Sequence, residues 1–406
     1  MPADSLPPTW VEGAAGGLHD VDNLPYAVFS SGADEPRVGV RIGDLLIDLA
    51  PLAATDMLEH GSVFGVPSLA PLMRLGPDAW ASLRDWLVEL LTDPDERPAV
   101  EPWLVPVGEA TLHLPFAVAD YVDFYSSLHH ATRVAQIFRP GEETLPPHWR
   151  RLPIGYHGSP GSVVASGAPV RRPRGLRRSE PDGATYGPTE QLDLEAELAY
   201  AVGVPTRRGE PVPTRAFERH VFGVLLLNDW SARDIQRYES TPLGPFLGKS
   251  FVTSVSPWVT PLAALAAARV DLPGQDPAPA EHLRVDGPAG YAIDIEVAIN
   301  GSTVARTPYA SMYWSPAQML AHLTSGGAAL RTGDVYASGT VSGPDGGQRG
   351  CLLELTWEGQ QPLTLDDGSR RAWLADGDEV LLTASAPGAL GGRIALGEVR
   401  GRVQPA

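Results

Sequence analysis

The feature that most constrains this chain is a run of alternating apolar and acidic residues at positions 191–200. Asp193, Glu195 and Glu197 alternate there with leucine and alanine. Because side chains along a β-strand point alternately to its two faces, this period of two predicts a half-buried strand with the three acids on one face. Same-face neighbours lie about 6–7 Å apart, so the carboxylates repel one another unless a cation lies among them. The pattern fits a solvated acidic edge strand as well as a site for a hard metal ion.

The composition limits the class of protein. A chain of 406 residues has room for two domains, and its 43 glycines and 40 prolines, placed between apolar runs, predict many short strands joined by turns. The formal charge of −18 argues against nucleic acid or an anionic membrane as a partner. With a single cysteine, no secretory signal and no apolar run near the ~20 residues that span a bilayer, we expect a cytoplasmic protein.

The first part of the chain predicts a small domain without catalytic features. Residues 38–42 and 45–49 are typical of two strands joined by a turn at Gly43-Asp44. Pro77 is a typical first residue of a helix, and a stripe of tryptophan and leucine follows on one face of that helix. We expect residues 1–115 to form an N-terminal domain and residues 116–406 to form the larger one.

Two candidate reactive side chains follow in helical and loop patterns. A helix is predicted after Ser126 or Ser127 as the N-cap, and His130 falls on its apolar face. On that evidence alone, a hydrogen-bonded core histidine is the simpler interpretation of His130, and a functional histidine is the alternative. Lys249 lies in an apolar, glycine-rich loop, where a lysine either extends to solvent or binds an anion.

Two further candidate groups follow strand patterns. The apolar run 221–227 is typical of a fully buried strand, and Asp229, Arg233 and Gln236 come directly after it. Residues 351–357 are interpreted as another strand with a single acid, Glu354. A lone buried carboxylate is costly, so Glu354 is expected to have a basic or hydrogen-bonding partner.

Several of these segments together resemble one known family. The segments are Asp123-Phe-Tyr-Ser-Ser with His130, Gly155-Tyr-His-Gly, Leu194-Glu-Ala-Glu, Asn228-Asp-Trp-Ser-Ala-Arg-Asp-Ile-Gln, Pro242-Leu-Gly-Pro-Phe-Leu-Gly-Lys-Ser-Phe and Ser338-Gly-Thr-Val-Ser-Gly. From about residue 115 to the C-terminus the chain is similar to the fumarylacetoacetase (fumarylacetoacetate hydrolase) family. The resemblance implies a mostly β fold: a small N-terminal SH3-like β-barrel, then a large mixed β-sandwich roll that carries catalysis. It also implies a homodimer.

The resemblance assigns a role to individual residues. The implied ligands of a divalent cation, Mg²⁺ or Ca²⁺, are Asp123, Glu195, Glu197 and Asp229, with Lys249 and Thr253 around a further Mg²⁺. His130 is the implied general base and Glu354 the acid that orients it, while Arg233, Gln236 and Lys249 stabilise an oxyanion. The implied substrate contacts are Tyr125, Arg139, Tyr156, Gln236 and Thr340, with Ser240 at the position of a usual substrate-binding tyrosine. Ser159 stands where arginine is common after the Gly-Tyr-His-Gly motif.

The implied reaction is hydrolysis of the carbon–carbon bond of 4-fumarylacetoacetate to fumarate and acetoacetate, the last step of tyrosine and phenylalanine breakdown. Relatives in the superfamily use a similar acidic metal site as acylpyruvate hydrolases, decarboxylases or isomerases. A non-catalytic metal-binding protein is the alternative from another class. It does not require an inward histidine together with a lone acid and an Arg/Gln/Lys group.

Overall fold

The computed structural model describes residues 7–32, 34–55, 58, 60–139, 141, 145–179 and 183–406. Its first part contains β1 (Tyr26–Ser31), β2 (Arg37–Ile42), β3 (Leu45–Asp48), α1 (Leu49–Thr55), α2 (Ala70–Leu75), α3 (Pro77–Thr92), α4 (Arg97–Val100), β4 (Leu104–Pro106) and β5 (Ala110–His113). The described strands form an antiparallel sheet in the order β4-β3-β2-β1-β5. The predicted hairpin is confirmed, since β2 and β3 pair across Gly43-Asp44, and so is the helix that begins at Pro77.

The larger second part is also rich in strands. Its first half contains β6 (Asp120–Phe124), α5 (Leu128–Phe138), β7 (Gly155–His157), β8 (Val163–Ala165), β9 (Val170–Arg171), β10 (Arg174–Ser179), β11 (Gly183–Pro188), β12 (Leu192–Asp193), β13 (Ala196–Val202), α6 (Phe217–His220), β14 (Val221–Asp229), β15 (Ser231–Ala232), α7 (Arg233–Glu239), β16 (Thr253–Val255) and β17 (Thr260–Pro261). Its second half contains β18 (Arg269–Val270), β19 (Gly290–Tyr291), β20 (Asp294–Ile299), β21 (Ser302–Pro308), α8 (Pro316–Ser325), β22 (Asp334–Ala337), α9 (Leu352–Leu355), β23 (Leu363–Thr364), β24 (Arg370–Arg371), β25 (Glu379–Pro387) and β26 (Arg393–Gln404).

A central sheet organises the second part. Its strand order is β7-β6-β22-β13-β14-β16-β8, and β17 also pairs with β14. A second sheet has the order β21-β20-β25-β26-β9. These curled sheets confirm the mostly β class, with a small N-terminal domain and a larger C-terminal one. The boundary at residue 115, between β5 and β6, stays a prediction.

Both faces of the central sheet are covered. Leu198 and Tyr200 of β13 pack into one hydrophobic core together with residues of the second sheet. Ala199 and Ala201 of the same strand face the opposite way and pack into a core shared with the N-terminal domain. This double burial explains the continuous apolar run of β14, whose prediction as a fully buried strand is confirmed.

The acidic segment at 191–200 differs from the prediction of one half-buried strand. It is divided into β12, which pairs with β15, and β13, which pairs with β14 and β22. The change of partner occurs at Leu194 and Glu195, and every residue from Leu192 to Val202 is buried. The predicted alternation of side chains between two faces is confirmed within β13. Neither face is exposed to solvent, however, because both faces of the sheet are covered.

The prediction of a strand at 351–357 is wrong. Leu352–Leu355 forms the short helix α9. The carboxylate of Asp193 accepts hydrogen bonds from the backbone N–H groups of Leu352 (2.7 Å) and Leu353 (3.0 Å). Backbone N–H groups at the start of a helix lack partners within it, so this distant carboxylate stabilises a helical turn that the local apolar pattern does not reveal.

None of the described helices is both long and apolar enough to span a bilayer.

Candidate active site

Four carboxylates from neighbouring strands meet at one end of the central sheet. Asp123 lies in β6, Glu197 in β13 and Asp229 at the end of β14, and Glu195 lies between β12 and β13. One oxygen from each can be chosen so that all lie within 4.8 Å of one another, and all four side chains are buried. These residues, called the acidic cluster, are the set that the resemblance assigns to metal binding.

The turn after β22 completes one side of the acidic cluster. Gly339 donates its backbone N–H to Glu197 Oε2 at 3.0 Å. It has φ of +73°, and a Cβ at this position would lie 2.0 Å from the carbonyl oxygen of Phe124. Only glycine fits such a close backbone approach in this conformation, which accounts for the glycine in the Ser338-Gly339-Thr340 segment.

Two cationic side chains contact the acidic cluster. Lys249 Nζ donates to Glu195 and, at 2.7 Å, to Asp229 Oδ2. Arg233 Nη2 lies 2.6 Å from Glu195 Oε1, and Thr253 Oγ1 donates to Asp229 Oδ1 at 3.1 Å. The sequence left open whether Lys249 extends to solvent or binds an anion. It binds anions, and these are the carboxylates of Glu195 and Asp229.

The cations compensate the cluster unevenly. Burial would raise the pKa of Glu195, but Arg233 and Lys249 outweigh burial and hold this pKa below its usual value. Burial and the nearby carboxylate of Asp229 raise the pKa of Asp123 to about 8. Burial, reinforced by Asp123, places the pKa of Glu197 well above its usual value. Without further positive charge, part of the cluster is protonated at neutral pH.

The residues present fit a divalent cation. Asp123 Oδ1 and Glu197 Oε1 are buried and have no hydrogen-bond partner among the described residues. The ligand atoms on offer are all carboxylate oxygens, which hard cations such as Mg²⁺ and Ca²⁺ prefer over soft ligands. The acidic cluster therefore offers the ligand set that a divalent cation requires.

A histidine and a glutamate form a second buried group. The predicted N-cap is confirmed, since Ser127 Oγ accepts a hydrogen bond from the backbone N–H of His130 on α5. His130 Nδ1 lies 2.6 Å from Glu354 Oε2, and both side chains are buried. This contact, called the dyad, supplies the partner that Glu354 was expected to need. Burial would raise the pKa of Glu354, but His130 chiefly, with Ser342 and Arg133, lowers it to about 2.

Asp193 connects the acidic cluster to the dyad. It accepts from Arg233 Nε at 2.8 Å, while the same guanidinium contacts Glu195. It also accepts from the N–H groups that begin α9, the helix carrying Glu354. One carboxylate thus holds both a cluster cation and the dyad's acid in place, so the two groups form one connected site.

Most of the other predicted site residues surround this core. The ring of Tyr125 packs edge-on against the His130 ring at 5.3 Å between centroids, and Tyr156 OH donates to Asp229 Oδ2 at 3.4 Å. Gln236 Oε1 accepts from Arg233 Nη1 at 3.2 Å. Thr340 Oγ1 is buried without a hydrogen-bond partner among the described residues.

Three predicted residues lie at the margin. Ser240 donates its hydroxyl to the carbonyl oxygen of Gln236 at the end of α7. Ser159 contacts Ser162 at 2.9 Å through their hydroxyls. Arg139 is exposed after the last residue of α5, next to positions 140 and 142–144, which lie outside the described residues. The substrate role of Arg139 stays a prediction.

Three side chains that contact the dyad were not predicted from the sequence. Ser342 Oγ donates to Glu354 Oε2 at 2.7 Å, and Cys351 Sγ lies 3.3 Å from the same oxygen. Arg133 Nη1 lies 3.2 Å from Glu354 Oε1. A signal was present only for Arg133, which follows His130 by three residues on a predicted helix and so shares its face.

A cavity of about 1140 Å³ lies elsewhere, between the N-terminal domain and strands β20, β25 and β26. Its walls include Arg41, Trp258, Thr383 and Arg400, but no member of the acidic cluster or the dyad. The candidate site therefore lies outside this cavity.

The chain was compared with known proteins. Residues 22–115 match the family model described as fumarylacetoacetase, N-terminal, and residues 121–404 match the one described as fumarylacetoacetate hydrolase, C-terminal. Over 403 residues the chain is 44% identical to human fumarylacetoacetase, an alignment that covers 95% of this chain and 96% of the relative. Over 420 residues it is 39% identical to fumarylacetoacetase of Oryza sativa subsp. japonica, covering 98% and 97%.

Among solved structures, the chain is similar to a fumarylacetoacetate hydrolase from Exiguobacterium antarcticum. The TM-score is 0.54 at 17% identity, over 94% of this chain and 100% of the other. This likeness supports the fold.

Binding of a divalent cation should stabilise the protein more strongly as the pH rises. The raised pKa of Asp123 means that the folded protein binds a proton that the unfolded chain has lost, so the metal-free fold becomes less stable as pH rises from ~4 towards ~8. A cation must displace such protons, and its apparent affinity should rise by up to ~10-fold per pH unit for each proton displaced. The difference in Tm with and without Mg²⁺ should therefore grow between pH ~6 and ~8.5.

The variant Asp229→Asn should lose most of this metal-dependent stabilisation, because it removes one oxygen ligand charge. Glu89→Gln removes an exposed carboxylate on α3 and serves as the matched control. If the increase in Tm caused by Mg²⁺ is the same at every pH in this range, the inference that the acidic cluster is partly protonated is wrong.

Proposed function

This chain belongs to the fumarylacetoacetase family, and we propose that it hydrolyses 4-fumarylacetoacetate to fumarate and acetoacetate. The observation that carries the proposal is the meeting of the buried acidic cluster and the dyad in one connected site. The identity shared with fumarylacetoacetases over nearly the whole chain supports the choice of substrate. A non-catalytic metal-binding protein does not need a buried imidazole held by a carboxylate.

In this proposal, His130 is the general base that takes a proton from water. Its Nδ1 faces Glu354, so the tautomer with hydrogen on Nδ1 leaves Nε2 free to accept that proton. Glu354 is ionised well below neutral pH and stabilises the imidazolium that results. The hydroxide adds to the carbonyl carbon next to the bond that breaks, and the imidazolium returns the proton to the departing carbon.

Lys249, Arg233 and Gln236 are proposed to receive the negative charge that develops on the carbonyl oxygen. The Lys249 ammonium has three N–H bonds, of which Glu195 and Asp229 take two. Gln236 uses its carbonyl oxygen on Arg233, which leaves its amide N–H groups to donate. Loss of one such donor costs roughly 3–4 kcal/mol of transition-state stabilisation in other enzymes.

Asp123, Glu195, Glu197 and Asp229 are proposed to hold the divalent cation, with Mg²⁺ or Ca²⁺ as the ion. When bound, such an ion supplies Lewis-acid polarisation of the diketone oxygens. Thr253 and Lys249 stay assigned to the surroundings of a further Mg²⁺, and the contacts of both with Asp229 support their place at the cluster. We also propose substrate contacts for Tyr125, Tyr156 and Thr340. Tyr125 packs against the dyad, Tyr156 donates to the acidic cluster, and Thr340 has a buried hydroxyl without a partner among the described residues.

The proposal extends to the setting of the enzyme: a cytoplasmic homodimer that carries out the last step of tyrosine and phenylalanine breakdown. The resemblance supports the dimer and the pathway step, and the single, buried Cys351 suits a reducing compartment such as the cytoplasm. Sedimentation velocity of the purified protein should give the mass of two chains. A species of one chain at every concentration refutes the dimer.

Purified protein should remove fumarylacetoacetate in a spectrophotometric assay, and a chelator should stop this reaction until Mg²⁺ or Ca²⁺ is restored. An acylpyruvate supplied in parallel should be turned over much more slowly. Faster turnover of the acylpyruvate would assign the chain to another activity of the superfamily. Full activity in chelator would leave the acidic cluster without a catalytic cation.

The variant His130→Asn should lower kcat by at least ~100-fold, because the general base is lost while the fold persists. The matched control is His322→Asn, which replaces a half-buried histidine on α8 and should keep wild-type kcat. Circular dichroism and Tm establish that both variants are folded. Near wild-type kcat in folded His130→Asn refutes the assigned base.

A further inference from the structure

Arg133 and His130 approach the same carboxylate from one face of α5. They are three residues apart on this helix, so their side chains project from neighbouring positions. His130 Nδ1 lies 2.6 Å from Glu354 Oε2, and Arg133 Nη1 lies 3.2 Å from Glu354 Oε1. The two oxygens of Glu354 are thus divided between an imidazole and a guanidinium.

The Arg133 guanidinium is itself held in place. Its Nη2 donates to the carbonyl oxygens of Gly343 (2.8 Å) and Pro344 (2.6 Å). These residues follow the Ser338–Gly339–Thr340 turn that contacts the acidic cluster. The Arg133 side chain is only 12% exposed. A charge that is largely shielded from water and fixed by backbone acceptors acts more strongly on its neighbours than a surface arginine does.

Other polar groups also face Glu354. From the 342–351 segment, Ser342 donates to Oε2 and Cys351 Sγ lies 3.3 Å from it. Arg349 donates to the backbone carbonyl of Glu354 at 2.9 Å. Tyr125 and the half-buried His129 also lie within electrostatic range of the carboxylate, and Glu195 of the acidic cluster lies within electrostatic range of the His130 ring. Among the described residues around the carboxylate, Arg133 is the permanent cation that contacts one of its oxygens.

We propose that Arg133 is a positioning residue of the dyad: its guanidinium contacts the far oxygen of Glu354 and thereby helps to hold the proton on His130 Nδ1, which leaves Nε2 free to act as the base. This inference rests on the proposed function, in which His130 deprotonates water. At 2.6 Å, the carboxylate and the imidazole compete for one proton. A cation on the far oxygen makes the carboxylate a poorer proton acceptor, so the proton stays on Nδ1 and the Nε2 lone pair stays available.

The same cation opposes a second positive charge on the imidazole. Arg133 therefore offsets part of the electrostatic attraction by which Glu354 favours the imidazolium. Arg133 acts without touching the substrate, so its removal should alter the pH dependence of catalysis more than substrate affinity. A purely structural arginine would affect stability and leave the pH dependence unchanged.

The test is the pH profile of kcat/KM for Arg133→Met, whose acid limb reports the base of the free enzyme. Without the cation, the imidazolium is favoured, and the limb should move up by ~0.5–1 pH unit, with KM on the plateau within about twofold of wild type. Arg133→Lys keeps the charge and should keep the wild-type limb. Arg306→Met removes an exposed arginine from β21 and controls for net charge.

NMR titration of the His130 ring in the Mg²⁺-loaded protein gives a second readout that needs no turnover. Its signals are assigned by their loss in His130→Asn, and its midpoint should rise in Arg133→Met by the same amount as the acid limb. If the protein does not hydrolyse fumarylacetoacetate, the proposed function fails, and this titration still decides the role of Arg133.

An unmoved His130 midpoint in folded Arg133→Met overturns the inference, as does an equal shift in Arg306→Met. Should Arg133→Met fail to fold, Arg133→Gln takes its place, because its amide can still donate to the backbone carbonyls without carrying charge. If neither neutral variant folds while Arg133→Lys does, Arg133 is required for folding and the inference is also overturned.

Discussion

The burial of four carboxylates at one end of a sheet is the constraint on which the site depends. Taking one ionised carboxylate out of water costs several kcal/mol even after the protein relaxes, and four together also repel one another. Lys249 and Arg233 compensate Glu195 and, in part, Asp229. Asp123 and Glu197 each keep a buried oxygen without a partner among the described residues. The chain's own cations thus offset only part of the cost of burying the cluster, and a cation bound at the two oxygens without partners would offset more of it.

The fold holds this unfavourable arrangement because its scaffold is packed on both sides. β13 and β14 contribute Glu197 and Asp229 from the centre of a sheet that has the N-terminal domain on one face and the second sheet on the other. Their backbones are fixed along an extended antiparallel register from Ala196↔Asn228 to Val202↔Val221. Packing on both faces and this register hold Glu197 and Asp229 close together despite the repulsion between their carboxylates.

The sequence was informative where function and local pattern coincide. The buried run before Asp229, the Ser127 cap and the inward position of His130 on α5 could each be inferred from neighbouring residues. The partner of Glu354 was predicted correctly, but its secondary structure was not. An apolar run around one acid is equally compatible with a strand and with a buried helical turn. The deciding contact comes from Asp193, far away in the chain. No local period can reveal a contact between residues about 160 positions apart.

The two halves of the site show why identical chemical groups behave in opposite ways here. Asp123 and Glu354 are both buried carboxyl groups. Burial among other carboxylates raises the pKa of Asp123 to about 8, whereas His130 chiefly, with Ser342 and Arg133, lowers the pKa of Glu354 to about 2. The acidic cluster therefore keeps protons in the absence of further positive charge, whereas Glu354 is ionised through its partners on α5 and in the 342–351 segment. The acidic cluster and the dyad nevertheless stay linked, because His130 acts electrostatically on Glu195 and Asp193 holds both groups in one frame.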